Sequence, residues 1–351
     1  MSTSKARLQF LDALRGIAVF LVIFSHIMHE RSQLAQLIDA NYFQIGQAGV
    51  SLFFLISGYI IPKSLNASPS LQVFWLHRFF RLYPAYWVCL IAVLLFASAG
   101  LYHFQETITP FGMAVNFTMM QGFVGIKNVI NVFWSLKFEM AFYFLMTVIS
   151  VTGMLKRPFL IFVGYSLLTA GLALGMKFGM HKFFAYGVFN LELMLLGWVL
   201  AEWHMKRLAG KYAAVSVALG LLTTMIAAYA AFAGRTEELA VGTLSLVPMA
   251  SAWGASIVFF VATLLTTEYV RWPRWLAWMG TVSYSAYLLH PIVIGVSQNL
   301  IPVGPLLMCT QFGLSFVLAW LGYRYIETPS IAYGKKVGNR FIPAARQAAR
   351  V

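Results

Sequence analysis

The chain has 351 residues, of which 60% are hydrophobic and 10% are charged, and its formal net charge is +14. A soluble domain carries roughly a quarter charged residues, so the composition excludes a water-soluble protein. The basic residues lie in short runs between apolar blocks, as in loops that face anionic lipid headgroups, and we expect no nucleic-acid partner. Cys89 and Cys309 each lie inside an apolar block and predict neither a disulfide framework nor a metal site.

The apolar residues fall into ten segments of roughly the 20 residues that cross a bilayer core of about 30 Å. These segments lie near residues 10–29, 46–62, 82–100, 133–153, 158–175, 183–203, 212–233, 242–266, 279–300 and 305–326. The first lacks the cleavage site of a signal peptide, so we expect a retained helix. We predict an all-α polytopic membrane protein with about ten transmembrane helices in one domain, residues 1–330, followed by a basic cytoplasmic tail, residues 331–351.

One further segment, residues 109–125, decides the orientation of everything after it. It is free of charges but short, and it is rich in Gly, Asn and Gln. If it does not span and the N-terminus is cytoplasmic, 17 Lys and Arg side chains face the cytoplasm and 5 face outward, whereas a spanning segment changes these counts to 9 and 13. Because short cytoplasmic loops carry an excess of Lys and Arg, we predict that both termini are cytoplasmic and that residues 109–125 are re-entrant or interfacial.

The first helix carries charged and titratable side chains on one face. Such a side chain inside the hydrocarbon costs at least about 2.5–3.5 kcal/mol, so each one is a functional candidate. Arg15 and His26 are eleven residues apart, which is three turns plus about 20°, and Asp12 lies one turn before Arg15. The stripe places a cation near the cytoplasmic end and an imidazole about 16 Å away. The alternative for His26 is an ordinary interfacial histidine.

A second stripe consists of Ser135, Glu139 and Tyr143, which recur every four residues and are predicted to stack on one helix face. On the ten-span prediction Glu139 lies about two turns below the outer surface, close to the depth of His26. A carboxylate beside an imidazole fixes its tautomer and raises its basicity. The alternative is a structural ion pair of Glu139 with Lys137 or with an arginine.

A third cluster, Ser283, Tyr287 and His290, shares a face of the ninth span and is followed by Pro291. Proline frees a backbone carbonyl one turn earlier, so a histidine beside it is expected to line a water-filled cavity. A core histidine whose hydrogen bonds are satisfied is an equally good interpretation.

The fourth cluster is Arg78 and Arg81, one turn apart on an aromatic-rich segment before the third span. Paired arginines at a membrane surface suit a ligand with several phosphates. The alternative is an ordinary positively charged membrane anchor.

Together these segments resemble the acyltransferase 3 family of bacterial membrane O-acyltransferases. The resemblance covers residues 8–330 and is carried, in chain order, by Leu11–Ala18 leading to His26, Phe53–Tyr59, Arg78–Pro84, Trp134–Tyr143, Ser283–His290 and Glu327–Pro329. It implies a ten-helix fold that uses a cytoplasmic acyl-coenzyme A to acylate a hydroxyl, usually on a sugar. We expect the type without a fused extracytoplasmic hydrolase-like domain, similar to exopolysaccharide and O-antigen acetyltransferases.

The residue patterns and the resemblance together predict an O-acetyltransferase of the bacterial cytoplasmic (inner) membrane. His26 is the expected general base or acyl carrier, Glu139 orients it, and Arg15 binds the donor or stabilises the departing thiolate. Arg78 and Arg81 are expected to hold the phosphates of the donor, acetyl-coenzyme A. The expected pocket for the acceptor is lined by Ser57, Ser135, Tyr143, Tyr287 and His290.

We expect no metal ion and no permanently bound cofactor, since acetyl-coenzyme A is a substrate. The expected acceptor is a cell-surface or exported polysaccharide or its lipid-linked precursor, and polysaccharide-assembly proteins are further candidate partners beside the lipid bilayer.

Two alternatives come from other classes of protein. A transporter or flippase for a sugar or small anion would use the buried ionisable residues as a proton relay, although no internal repeat of the kind found in many transporters is visible. A non-catalytic subunit of a polysaccharide export system would have no need of Arg15, His26 and Glu139 within the membrane.

Overall fold

The computed structural model describes residues 3–29, 31–104, 107–175, 182–232 and 246–341. Regular structure in these ranges is helical. The α-helices are α1 Thr3–His29, α2 Gln33–Asn41, α3 Ile45–Ala67, α4 Leu71–Ser98, α5 Pro110–Asn116, α6 Leu136–Val151, α7 Pro158–Gly175, α8 Lys182–His204, α9 Gly210–Phe232, α10 Leu246–Thr266, α11 Arg274–Thr281, α12 Ser283–Ser297, α13 Pro305–Gly322 and α14 Thr328–Asn339. Short 3-10 turns occupy Gln121–Phe123, Asn131–Ser135 and Met154–Lys156, and a π turn occupies Tyr323–Glu327.

All ten predicted spans fall on helices. Among the described residues, seven helices are long and apolar enough to cross a membrane, and α11 with α12 makes an eighth if the broken pair is one span. The remaining two predicted spans fall on α8 and α9, which have 23 residues each. The prediction of an all-α polytopic membrane protein is confirmed. Of the basic residues used to orient it, Lys177, Arg235 and those beyond residue 341 lie outside the described residues.

The helices form two units, each built from two separate stretches of chain. Unit 1 comprises Met1–Pro62 and Phe138–Gly280, and unit 2 comprises Lys63–Lys137 and Thr281–Val351. The predicted cytoplasmic tail therefore begins inside a helix of unit 2, because residues 331–339 belong to α14.

In unit 1, contacts at both helix ends show which helices run in the same direction. The rings of Phe10 in α1 and Tyr59 in α3 are 6.0 Å apart, while Ser25 near the end of α1 faces Gly46 near the start of α3, so α1 and α3 are antiparallel. At its start α3 meets the start of α10, where the Gln44 amide donates to the Pro248 carbonyl at 3.2 Å.

The other ends of α3 and α10 are also joined. The Tyr59 hydroxyl lies 2.8 Å from Nδ1 of His204, whose Nε2 lies 3.2 Å from the Thr267 hydroxyl just after α10. Helices α3 and α10 are therefore parallel, which requires an odd number of crossings between them. Helices α4, α6, α7, α8 and α9 supply five, and a sixth crossing at residues 109–125 would make the pair antiparallel.

In unit 2 the directions of α4 and α12 also require an odd number of membrane crossings between them. The Tyr284 hydroxyl donates to the Leu82 carbonyl at 2.9 Å, and the Cys89 thiol donates to the Leu288 carbonyl at 3.1 Å. Further along both helices the Asn299 amide donates to the Leu101 carbonyl at 3.0 Å. These two helices run in the same direction, as they do only if residues 109–125 do not cross the membrane.

The contacts of segment 109–125 favour the re-entrant placement over the interfacial one. Its only α-helix, α5, has 7 residues, about 10 Å. Its next turn binds the middle of α4: Tyr83 donates to the Thr118 carbonyl at 2.8 Å, Tyr86 to Asn116 at 2.7 Å and Trp87 to Phe117 at 2.9 Å. Tyr86 is twelve residues, about 18 Å, from the end of α4 at Ser98, so the segment reaches roughly half the bilayer depth.

Candidate functional site

The predicted stripe of α1 lies on one uninterrupted helix in unit 1. Val19 and Val22, between the two polar members, are 0% and 1% exposed, whereas Arg15 is half-buried and His26 is exposed. The Nδ1–H of His26 donates to the Val22 carbonyl at 2.9 Å, because a carbonyl oxygen can only accept. The neutral ring therefore carries its lone pair on Nε2, the nitrogen that can take a proton or attack a carbonyl carbon.

The Arg15 end of the stripe lies against α11, also in unit 1. A Cβ atom on Gly280 would overlap the backbone of Asp12, and one on Gly16 would overlap the carbonyl oxygen of Leu276. The two backbones can approach this closely because both glycines lack a side chain. This close contact fixes the position of α1 relative to α11 at the level of Asp12 and Arg15.

Glu139 and Tyr143 are joined in unit 1 by a short hydrogen bond, in which the Tyr143 hydroxyl donates to the carboxylate of Glu139. Tyr143 is fully buried and Glu139 is half-buried. Ser135 closes the 3-10 turn Asn131–Ser135, and α6 begins one residue later, so its place on the same face stays a prediction. The orientation of His26 by Glu139 stays a prediction.

Ser135 belongs to a hydrogen-bonded group in unit 2. The Tyr287 hydroxyl donates to the Val132 carbonyl at 2.9 Å and lies 2.7 Å from the Ser135 hydroxyl. The Tyr287 and His290 rings are 6.0 Å apart. His290 is 0% exposed and its Nδ1–H donates to the Ala286 carbonyl at 3.1 Å, and its place beside a water-filled cavity stays a prediction.

The start of α12 is held by a buried carboxylate. Glu327, 2% exposed, accepts hydrogen bonds from the Ser285 amide at 3.0 Å and from the Ser285 hydroxyl at 2.5 Å. The first amides of a helix have no partner within it and carry partial positive charge, so an acidic side chain there is stabilising. Two of the six segments that carry the family resemblance, Ser283–His290 and Glu327–Pro329, are therefore in direct contact.

The basic pair lies near the start of α4 in unit 2, and both side chains are half-buried. Arg78 Nη2 donates to the Ser64 hydroxyl at 2.5 Å, and the Arg78 guanidinium carbon lies 5.4 Å from the centre of the Phe74 ring. These contacts orient the Arg78 guanidinium on the surface of α4.

Comparison with known proteins identifies the protein family. The model of the acyltransferase 3 family, described as an acyltransferase domain, matches residues 8–324. The chain belongs to this family. It is 28% identical over 367 residues to a protein of Staphylococcus aureus (strain COL) named "Putative O-acetyltransferase", covering 94% of this chain and 58% of the relative. It is 28% identical over 362 residues to "Peptidoglycan O-acetyltransferase OatA" of Listeria monocytogenes, covering 91% and 55%.

This member of the acyltransferase 3 family therefore spans little more than half the length of the curated relatives it matches. A shorter match, 26% identical over 151 residues and covering 43% of each chain, is a "Putative acetyltransferase" of Acidianus two-tailed virus. No solved structure matches the chain.

One buried acid of this protein was missed in the sequence. Glu192 in α8 is 1% exposed, and its carboxylate accepts hydrogen bonds from the Ser166 hydroxyl at 2.7 Å and the Thr223 hydroxyl at 2.6 Å. It thereby joins α7, α8 and α9 within unit 1. The signal was available, because Glu192 stands alone among apolar residues in a predicted span and the cost of such a charge applies to it as to Glu139.

The side chains that commonly bind metal ions are dispersed in the part of the chain that the structure describes. No group of three or more His, Cys, Asp or Glu side chains that could hold a metal ion occurs within the described ranges.

Proposed function

We propose that this protein transfers an acetyl group from acetyl-coenzyme A to a hydroxyl of a cell-surface or exported polysaccharide, or of its lipid-linked precursor, at the bacterial cytoplasmic membrane. Membership of the acyltransferase 3 family supports acyl transfer. The names of the relatives from Staphylococcus and Listeria support the acetyl group, and the name of the second supports a glycan acceptor.

The observation that carries the proposal is the state of His26. Its Nδ1–H is bound to the Val22 carbonyl, so the neutral ring carries its lone pair on the basic Nε2, and the side chain is exposed. A histidine with the same hydrogen bond but a buried ring could not be reached by a substrate. General-base catalysis by a positioned group typically contributes 10²–10⁴-fold.

In the direct route, Nε2 of His26 takes the proton of the acceptor hydroxyl while its oxygen attacks the thioester carbonyl carbon. The carbon–sulfur bond breaks, and the departing thiolate receives the proton from the imidazolium. In the covalent route, Nε2 attacks the thioester first and the thiolate leaves, after which the acceptor oxygen displaces the imidazole and its proton goes to the thiolate. Both routes yield the O-acetyl ester and coenzyme A.

Other side chains receive roles that match their chemistry. The carboxylate of Glu139, held by the Tyr143 hydroxyl, supplies negative charge that stabilises an imidazolium. Arg15 acts on the donor or on the departing thiolate. Arg78 and Arg81 hold the phosphates of coenzyme A, which need cations able to form charged hydrogen bonds.

The test is acetyl transfer by purified protein in nanodiscs, with radiolabelled acetyl-coenzyme A and candidate oligosaccharides as acceptors. His26→Ala should abolish transfer and leave donor binding nearly intact. The matched control is His29→Ala, because His29 is exposed at the end of the same helix and lies 3.4 Å from Asp39. A labelled protein that accumulates without acceptor in wild type but not in His26→Ala would select the covalent route.

Transfer by His26→Ala near the wild-type rate would refute the assignment of the chemistry to His26. Translocation of a sugar across proteoliposomes with no consumption of acetyl-coenzyme A would refute acyl transfer and identify the transporter alternative.

A further inference from the structure

A basic surface free of acidic residues covers the start of α4 and the whole of α14 in unit 2. Residues 63–104 and 328–341 contain no Asp or Glu. The basic side chains in these two ranges are Lys63, Arg78, Arg81, Lys335, Lys336 and Arg340. Neither range contributes an acidic side chain to this surface, which favours a ligand with several negative charges.

Helix α14 is packed closely onto α4. A Cβ atom on Gly334 would lie 2.7 Å from Cβ of Phe80, and one on Gly338 would lie 2.8 Å from Nε2 of His77. The Tyr333 ring meets the Phe80 ring edge-on, with centroids 5.3 Å apart. Gly334 and Gly338 are four residues apart and share a helix face, so this face of α14 lies against the segment of α4 that carries Arg78 and Arg81.

Two neighbouring lysines of α14 occupy different positions relative to that face. Lys335 lies three residues before Gly338 and shares its side of the helix. Its positive charge and that of Arg78 both act on the imidazole of His77. Lys336 is rotated a further 100° or so around the helix. Both lysine side chains are exposed.

We propose that Lys335 is a third phosphate-binding side chain for the acyl-coenzyme A donor, so that α14 completes the site begun by Arg78 and Arg81. The inference rests on the proposed function, since it names a further part of the same donor site. A lysine ammonium is a compact charge with three donors and suits a phosphate group that the arginine forks leave uncovered. The match to the family ends at residue 324, before α14 begins.

The experiment is isothermal titration of coenzyme A into the full-length protein in nanodiscs of neutral phosphatidylcholine, which removes anionic headgroups as competitors. Lys335→Ala should weaken binding about three- to fivefold, the upper range for an exposed ion pair. Lys336→Ala, which removes the same charge one residue away, should change binding by less than about twofold. Lys335→Arg should restore most of the affinity, and the difference between the two Ala variants should shrink at high salt.

A kinetic measurement separates binding from folding. In the acetyl-transfer assay Lys335→Ala should raise KM for the donor and leave kcat unchanged, as expected for an interaction made equally in ground and transition states. A misfolded variant would lose kcat and expression together.

Three results are distinguishable. Equal loss of affinity in Lys335→Ala and Lys336→Ala would overturn the inference and leave α14 as a general electrostatic anchor. Unchanged affinity in both would overturn it as well. Absence of coenzyme A binding by the wild-type protein, with sugar translocation intact, would refute the proposed function itself.

Discussion

The re-entrant segment makes a sharp prediction about stability, because side chains of α4 bind three successive carbonyls of its backbone. Non-helical backbone at membrane depth is tolerated only where the protein buries it or where it lines a water-filled cavity. Tyr86→Phe removes one hydroxyl and keeps the ring, which packs 4.6 Å from the Phe133 ring. The variant leaves the Asn116 carbonyl without its 2.7 Å donor.

The magnitude follows from burial. Tyr86 and Asn116 are both 0% exposed, so no water can replace the lost donor. The Asn116 carbonyl keeps the hydrogen bond from the Met119 amide at 3.1 Å, so the loss is that of one net hydrogen bond, about 0.5–1.5 kcal/mol. The same hydroxyl also accepts a weak contact from the Gln121 amide at 3.5 Å. Interhelical hydrogen bonds in membranes average about 0.6 kcal/mol, and Tyr86→Phe is expected to exceed that value because both partners are fully buried.

The matched control is Tyr83→Phe, which removes the 2.8 Å bond to the Thr118 carbonyl. Tyr83 is only half-buried, so the loss should stay below about 1 kcal/mol. Thermal unfolding in detergent, followed by tryptophan fluorescence, should rank wild type above Tyr83→Phe and Tyr83→Phe above Tyr86→Phe. If Tyr83→Phe is as destabilised as Tyr86→Phe, the segment does not insert as deeply as these hydrogen bonds indicate.

Three further predictions concern the donor, the chemistry and the topology. Replacing Arg78 and Arg81 together by Ala should weaken coenzyme A binding at least about tenfold, since a hydrogen bond to a charged group contributes ~1.5–3 kcal/mol, and Lys at both positions should restore only part of it; unchanged binding would make the pair a membrane anchor. Glu139→Gln should lower kcat more than donor affinity, and combining it with His26→Ala should add no further loss; an additional loss in the double variant would separate the two residues. A reporter fused after Lys211 should read cytoplasmic and one after Glu238, which lies outside the described residues, extracytoplasmic; the reverse would contradict the parity seen in both units.

The spans could be predicted because the bilayer imposes a length that a sequence must meet. Each apolar block of roughly 20 residues marked a helix, and the distribution of Lys and Arg predicted that residues 109–125 do not cross. The structure adds independent support, since the parallel pairs α3 with α10 and α4 with α12 follow from hydrogen bonds at their ends.

Contacts between residues far apart in the chain could not be predicted. The depth of the re-entrant segment depends on Tyr83, Tyr86 and Trp87 meeting three successive carbonyls some 30 residues later, and no local pattern encodes that pairing. The sequence predicts a basic cytoplasmic tail at residues 331–351, and residues 331–339 of it lie in α14. The docking of α14 depends on Gly334 and Gly338 admitting Phe80 and His77, which a sequence read from charge alone does not reveal.

The stripe Ser135–Glu139–Tyr143 shows a different limit. Equal spacing of four residues predicts one face only if the whole run is α-helical, and here a 3-10 turn ends at Ser135. Glu139 and Tyr143 keep the predicted relation, whereas Ser135 turns to Tyr287. Regular spacing in the sequence therefore does not reveal which partner each polar side chain finds.

Two histidines of this protein make the same local hydrogen bond, and their difference in exposure bears on the proposed chemistry. In His26 and in His290 the Nδ1–H donates to the carbonyl four residues earlier, so both neutral rings carry the lone pair on Nε2. A general base must come within hydrogen-bond reach of the proton it removes. His290 is 0% exposed and packs beside Tyr287, whereas His26 is exposed on a helix whose neighbouring Val22 is buried. Because an acceptor hydroxyl must reach Nε2, the exposed histidine is the better candidate for the general base, and the proposal therefore assigns the chemistry to His26.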